Sequence, residues 1–595
     1  MTNTRLQPVY AYHAESKHSP ERYAPGPGGL DWATQPHPFR VFTGAPVVEL
    51  PLSADACRAP FSAVRAGYQA APPPVDLKSL GLLLELSLGL SAWKSYGGAR
   101  WALRCNPSSG NLHPTEGYLL TAGRPGLSGG VYHYRSRDHC LEQRAQNDAK
   151  PANEPARDGV ILALTSIYWR EAWKYGLRAY RYCQHDVGHA MAALAYAVAT
   201  LGWRVERLPW SDATLAGILG LDREADFDPQ EREAADLALW VGRGSPTTDA
   251  IDALAGTPRR FCGKANRLSA AHVRWPGIAV VHQACERVCG QPSAPEAFAA
   301  LPTLAPQACQ LTAADLIRQR RSAADFDGRT RMSAASWFAM LDALLPRAGV
   351  PPWDCWRRWP RVNLLLFVHR IDGVVPGLYV LVRDPGSLRG LRASLERDWR
   401  WEPVDAAPAH LGLYRLVEGD VQAAARGLAC HQAIAADGCF AVAMLAGLDA
   451  ALAEGTWGYR ELFWECGLLG QVLYLEAEAV GLRGTGIGCF FDDAVHDLLG
   501  IRDTRWQSLY HFTLGGPLVD ARLQTEPPYR HLQADRRGGV HGCSSSLVAC
   551  ESGPATRTEG QHRGQDAALH NVGIAQLVRE TGIPRIPSTA GATGP

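Results

Sequence analysis

The stretch Asn106-Pro107-Ser108-Ser109-Gly110-Asn111-Leu112-His113-Pro114-Thr115-Glu116 concentrates turn formers and small hydrogen-bonding side chains between two apolar segments. Gly110 lets the backbone approach a flat ligand closely, and Pro107 and Pro114 stiffen the loop. Ser108, Ser109 and Asn111 offer hydroxyl and amide groups suited to the ring carbonyls or ribityl hydroxyls of a flavin, although an ordinary polar turn has the same composition. A second set, Arg320-Arg321-Ser322 with Asp325-Phe326, can place two guanidinium groups and a hydroxyl on a phosphate; basic pairs are also common on solvated faces. A third set, Gly484-Thr485-Gly486-Ile487-Gly488-Cys489-Phe490-Phe491-Asp492-Asp493, is a Gly-rich strand end able to present backbone N–H groups to a ring edge. It lacks the G-x-G-x-x-G spacing of a dinucleotide fold.

Lys174 and Tyr175 stand beside Arg178 and Arg181 in an aromatic run. Neighbouring cations and desolvation lower the pKa of a lysine, and cations stabilise a phenolate, so the pair reads as proton acceptors; interfacial packing of stacked Arg and Tyr is the alternative. Arg522, after the Gly515-Gly516-Pro517 turn, is a further phosphate candidate. His185-Asp186-Val187-Gly188-His189 puts two imidazoles on one helix face, but Asp replaces the Glu a zinc protease needs, and no metal ligand is assigned. Gly126-Leu127-Ser128-Gly129-Gly130 matches a nucleophile elbow by spelling only, since a strand rather than a helix follows. The 15 cysteines are scattered without a C-x-x-C pair and read as free thiols, Cys285 and Cys289 being the closest in sequence.

The elements that must position these groups fall into a repeated order. The 595 residues carry 60 Lys plus Arg against 59 acidic residues, which leaves no footprint for nucleic acid or an acidic membrane surface and points to a small-molecule or peptide substrate. The start lacks a signal-peptide pattern and no apolar run is long enough to span a bilayer, so a cytoplasmic protein is expected. Residues 1–75 read as an N-terminal arm. A first module, 76–244, opens with a helix from Leu77 to about Leu90 capped by Asp76. It continues through strands at Glu116–Ala122, Gly130–Tyr134 and Val160–Leu164, a core helix at Asp186–Trp203 and a strand at Leu237–Gly242. A linker or irregular insertion, 245–310, precedes a second module, 311–530. There Leu364–Val368 and Gly377–Leu381 echo the earlier strands, and Tyr459-Arg460, Gly467 and Gln471 keep the spacing of Tyr180-Arg181, Gly188 and Ala192. Duplication with the two copies packed as a pseudo-dimer follows. Residues 531–595 read as a disordered tail with a short helix near Asn571–Glu580.

Taken together, the Arg-Arg-Ser segment, the Pro-Ser-Ser-Gly-Asn loop, the Gly-Val-Tyr strand and the Gly-rich turn resemble the nitroreductase family of flavoproteins. Tyr12-His13, Leu30-Asp31-Trp32, Gln35-Pro36, Lys174-Tyr175-Gly176 and Tyr180-Arg181-Tyr182 look like its SagB-type dehydrogenase branch. The resemblance covers most of residues 8 to 530. It implies an α+β nitroreductase-like fold of two tandem modules, an FMN at their interface, ping-pong redox chemistry and oxidation of thiazoline or oxazoline rings to azoles in a peptide. It implies Arg320, Arg321 and Ser322, more weakly Arg522, on the phosphate. Ser108, Ser109 and Asn111 would meet the isoalloxazine or ribityl chain, Gly486, Ile487 and Gly488 would lie near N5, and Lys174 and Tyr175 would take the proton. It leaves a cyclodehydratase partner open. In the first unit the counterpart of the Gly-rich turn reads Val205-Glu206-Arg207-Leu208-Pro209. In the second the counterpart of the loop reads Pro351-Pro352-Trp353-Asp354-Cys355-Trp356, so one complete site per chain is expected. An NAD(P)H-dependent nitro or flavin reductase and a non-catalytic scaffold or peptide-binding protein are the alternatives.

Overall fold

The arm begins with a helix that its mixed composition does not announce: α1 (Asn3–Glu15), with Pro8 inside it. The helix is held by tertiary contacts rather than by its own pattern. Tyr12 Oη donates to the Leu177 carbonyl at 2.8 Å, and the buried His13 ring lies between Tyr459 Oη and Gln507 Oε1, at 3.1 and 2.9 Å. The computed structural model describes residues 3–67, 70–148, 158–288, 298, 300–304 and 309–532, so the expected tail from 533 onward, with its short helix, lies outside the described residues.

The first module starts with α2 (Leu77–Ser87), whose Asp76 carboxylate caps the Ser79 N–H as the sequence predicts. The strands that follow are β1 (Leu90–Tyr96), β2 (Ala99–Arg104), β3 (Thr115–Thr121), β4 (Gly130–Arg135), β5 (Cys140–Asn147) and β6 (Gly159–Ser166). Next come α3 (Tyr168–Tyr175), α4 (Ala179–Thr200), β7 (Arg204–Arg207), α5 (Asp212–Leu219) and β8 (Ala234–Gly242). The antiparallel path β5-β4-β3-β6-β8-β7 is the spine of an eight-stranded sheet. α4 starts at Ala179, seven residues before the position its small apolar residues suggest, because the aromatic and basic residues Tyr180, Arg181 and Tyr182 are buried as well. The 245–310 stretch carries helices at Thr248–Gly256 and Pro276–Ala284, and a strand, Arg259–Phe261, that adds to the outer edge of β5.

In the second module come α6 (Ala313–Gln319), β9 (Val362–Val368), β10 (Gly377–Leu381), β11 (Leu413–Glu418), α7 (Gln422–Leu428) and β12 (Phe440–Gly447). After them come α8 (Gly458–Ala479), β13 (Arg483–Ile487), α9 (Asp492–Leu499), β14 (Trp506–Gly515) and β15 (Gln524–Glu526). Its antiparallel path β11-β10-β9-β12-β14-β13 repeats the order of the first sheet strand for strand. The expected α+β fold of two tandem modules is therefore present, each with one long central helix.

The two central helices hold the modules together. A Cβ on Gly188 would lie 2.2 Å from the Trp464 carbonyl oxygen and one on Gly467 would lie 2.1 Å from that of His185, so α4 and α8 cross with backbones in contact at a reciprocal pair of glycines. Each helix also reaches into the other module. Arg178, capping α4, and Arg181 within it grip Asp492 at the start of α9, at 2.9 and 2.6 Å, while Arg460 of α8 grips Asp212 at the start of α5, at 2.7 and 2.6 Å. Beyond β14 the chain returns to the first module, where β15 pairs with β1 and Tyr529 Oη accepts from the Leu90 N–H at 2.8 Å.

Candidate functional site

Between the modules lies a cavity of about 530 Å³ into which segments from distant parts of the chain converge. One wall is the loop Asn106–Asn111 with His113, joining β2 to β3; another is Arg320–Ser322, directly after α6; a third is Thr485–Cys489, at the end of β13. Tyr182, Asp186 and His189 from α4, Tyr474 from α8 and Tyr510 from β14 close it from behind.

The loop takes its shape from backward turns, with Gly110, Asn111 and His113 at φ of 59°, 60° and 54°. Its hydroxyls and amide are tied into the protein. Ser109 N–H and Oγ both donate to the Asp186 carboxylate at 3.1 Å, the Asn111 amide donates to the Ala102 carbonyl at 3.0 Å, and Ser108 Oγ accepts from the His113 N–H at 2.8 Å. The structure thus brings all three residues to the cavity wall, where Ser109 holds the loop against α4, Asn111 ties it to β2 and Ser108 closes its turn.

At one end of the cavity Lys94, Arg320, Arg321 and Arg483 gather. Arg320 stacks on the Tyr474 ring at 5.0 Å and donates to the Arg104 carbonyl at 3.0 Å, while its buried Nε has no partner. Burial lowers its pKa, and burial together with Arg320 brings Arg321 down to about 10. Glu478 is the carboxylate beside them, 3.5 Å from Arg483 and accepting from the Arg321 N–H at 3.1 Å. Ser322 Oγ meets Tyr474 Oη at 2.8 Å, and that phenol oxygen also accepts from the Gly486 N–H at 3.1 Å. A Cβ on Gly486 would stand 1.9 Å from Tyr510 Oη and one on Gly488 would stand 2.5 Å from the Tyr182 ring, so this strand end has room only for glycine. Ile487, between them, is buried on the wall.

Two sequence candidates sit differently. Arg522 is exposed, paired with Asp520 at 2.8 Å and laid over the Tyr96 ring, and it does not line the cavity. Lys174 is half-buried with its Nζ 5.2 Å from the centre of the Tyr175 ring, and only Tyr175 reaches the cavity. The expectation that Arg178 and Arg181 stabilise a Tyr175 phenolate is overturned. Both guanidinium groups are engaged by Asp492, and burial with the carboxyls of Glu171 and Asp186 drives the phenol well above its ordinary pKa.

A buried carboxyl pair is the feature that sequence reasoning passed over. Asp186 carries the Ser109 bonds and is pushed by burial up to about 7; Glu171 of α3 is fully buried, without a well-formed hydrogen bond, and lies well above the carboxylate range. Asp186 lies inside the His185-to-His189 pattern, where only the histidines draw attention. In the structure those rings pack on Tyr510, His185 stacked at 4.2 Å and His189 Nε2 at 3.1 Å from its hydroxyl.

The pseudo-symmetric position is built from other material. Trp353, Cys355 and Trp356 of the second module's loop are buried, and Arg207, at the end of β7, lies over Trp356 and Trp464 at 5.7 and 5.0 Å while pairing with Glu461 at 2.5 Å. Indoles and an ion pair occupy the place that the cavity takes on the other side.

Residues 417–516, which include β12, α8 and the Gly-rich strand end, match the Nitroreductase family. The chain is similar to the crystal structure of a nitroreductase-like protein from Anabaena variabilis, with a TM-score of 0.60 and 22% identity, over 86% of this chain and 99% of that one. It is 30% identical over 188 residues to the trifolitoxin-processing protein TfxB of Rhizobium leguminosarum bv. trifolii, a match that spans 29% of this chain and 45% of that protein. The chain thus spans less than half the length of the curated relative it matches. A chain of the E. coli microcin synthetase McbBCD complex aligns over 41% of this chain at a TM-score of 0.23 and 16% identity, too slight a likeness to bear on function. The fold is that of the nitroreductases.

Proposed function

We propose that this chain is an FMN-dependent oxidoreductase of the SagB type, which oxidises an azoline or a similar C–N or C–C bond in a peptide or small molecule. The observation that supports this most is the convergence of Arg320–Ser322, the 106–113 loop and Gly486–Gly488 on one cavity between the two modules. The residues present fit the cofactor. The cluster of Lys94, Arg320, Arg321 and Arg483, with the orphaned Arg320 Nε, suits a phosphate, and the glycine strand end suits the close approach of a flat ring. Arg320, Arg321 and Ser322 would hold the phosphate, the backbone and side chains of Ser108, Ser109 and Asn111 the ring or ribityl chain, and Gly486 to Gly488 the ring edge.

Bound FMN would supply a two-electron hydride acceptor. The protein must receive the accompanying proton: Asp186, near 7, is the wall group that exchanges one close to neutrality, and Tyr175, whose phenol stays protonated, can only relay it, with Lys174 positioned against Tyr175 from outside. The similarity to a trifolitoxin-processing protein favours a substrate that is modified within a larger molecule.

The test is a purified protein that is yellow and releases FMN on heating, with Arg320→Ala and Arg321→Ala losing flavin while staying folded. It is completed by oxidation of a thiazoline peptide with bleaching of the flavin. A colourless, flavin-free preparation would sink the proposal, and rapid bleaching by NAD(P)H without azoline oxidation would replace it with a reductase.

A further inference from the structure

Beside the cavity two thiols far apart in sequence meet. Cys430, just past α7, and Cys489, next to Gly488, bring their sulfurs to 2.7 Å. The contact is held in place. Cys430 and His431 both adopt left-handed backbone, φ 51° and 60°, a conformation unfavourable for a residue with a side chain that persists only where surroundings impose it. Gln432 fixes the turn by donating to the Cys489 carbonyl at 3.0 Å and the Ala429 carbonyl at 2.8 Å. Neither thiol is fully buried, and Cys489 lines the cavity, so a small solute reaches it. Arg178 and the arm's His18 face Cys489, and Tyr23 faces Cys430. With the Cys430 thiol as hydrogen-bond partner, these neighbours place Cys489 well below the ordinary thiol range and leave Cys430 well above it. That ordering suits Cys489 to attack as a thiolate and Cys430 to hold its proton in reserve.

We propose that Cys489 and Cys430 form a redox-active dithiol whose substrate is a low-molecular-weight disulfide of the glutathione type. Cys489 Sγ attacks one sulfur of that disulfide; its S–S bond breaks, a mixed disulfide forms on Cys489 and one thiolate leaves. Cys430 then loses its proton and attacks Cys489 Sγ, forming the Cys430–Cys489 disulfide and expelling the second thiolate. The two protein sulfurs are oxidised by two electrons and the external disulfide is reduced; the Cys430 proton passes to one released thiolate, and the other, matching the charge that Cys489 brought as a thiolate, takes its proton from solvent. The product ties the 429–432 turn to the end of β13, so the oxidation state of the pair fixes one wall of the cavity. The pair stands apart from the flavin proposal, because it needs no cofactor.

The experiment treats the full chain with oxidised glutathione, traps remaining thiols by alkylation and maps peptides without reduction. The expected result is a Cys430–Cys489 crosslink that dithiothreitol removes, formed with or without added FMN. With Cys430→Ser the glutathione adduct should accumulate on Cys489, and with Cys489→Ser adduct formation on Cys430 should fall on the order of tenfold. The exposed Cys262 serves as the reference thiol. Alkylation of Cys489 that oxidised glutathione leaves unchanged, or adducts confined to Cys262, would overturn the proposal, and the wild-type map decides this even if a variant fails to fold.

Discussion

At Asp186 two demands meet: the carboxylate anchors the 106–113 loop through Ser109, yet burial holds its pKa at about 7. A carboxyl whose folded pKa lies above its unfolded value binds more protons when folded, so its contribution to stability is complete below the unfolded value near 4 and is lost as pH rises toward 7. Asp186→Asn should flatten the fall of the melting temperature between about pH 4 and pH 7. Asp236, also near 7, keeps part of that slope in the variant. An unchanged slope in the variant would mean that Asp186 ionises normally. For the proton in the proposed reaction, Tyr175→Phe should keep FMN bound and lower turnover by roughly a hundredfold, the usual scale for a lost proton-transfer group. Lys174→Ala should do so less, because Lys174 lies outside the cavity. Parent-like turnover of Tyr175→Phe with flavin in place would leave that ring only a packing role.

The long helices α4 and α8 are the elements on which the site depends, since the cavity draws Tyr182, Asp186 and His189 from one and Tyr474 from the other. Their crossing leaves no space for a side chain at Gly188 or Gly467. Gly188→Ala and Gly467→Ala should each destabilise the chain by about 3 kcal/mol, the upper part of the usual overpacking range, and lower flavin content. Thermal unfolding and flavin absorbance per chain measure the two effects. A variant with parent stability would show that the helices separate at no cost. Both glycines stand at matching places in the repeat, which the Tyr-Arg-to-Gly spacing marks in the sequence, and the structure makes that matched pair the contact between the copies.

For the molecule as a whole, a duplicated fold offers two pseudo-equivalent sites, and among the described residues one is open and the other packed. Trp356, Trp464 and the Arg207–Glu461 pair pack the other. On the proposed function, flavin released from a known amount of chain should correspond to about one FMN per chain, since among the described residues the proposed phosphate and ring groups gather at one junction. Two per chain would mean that the indoles move aside, and none would favour a scaffold.

The repeat and the three wall segments are legible in the sequence itself, because they rest on local signals: strand runs, turn glycines and the matched Tyr-Arg-to-Gly spacing; the α+β class follows from the family resemblance that those segments carry. Asp76 caps its helix for the same reason. What lies between segments was decided only by tertiary structure. The α1 helix lacks a pattern of its own and is fixed by Leu177, Tyr459 and Gln507. Arg178 and Arg181 read as partners of Tyr175 while their neighbours are counted along the chain, but folding gives them Asp492 from more than three hundred residues away. Likewise Asp186 has an unremarkable sequence context, and Cys430 and Cys489 are 59 positions apart. A charge or a thiol acts over a few ångströms, and which groups come that close depends on how two modules dock, an outcome that no local stretch of sequence encodes.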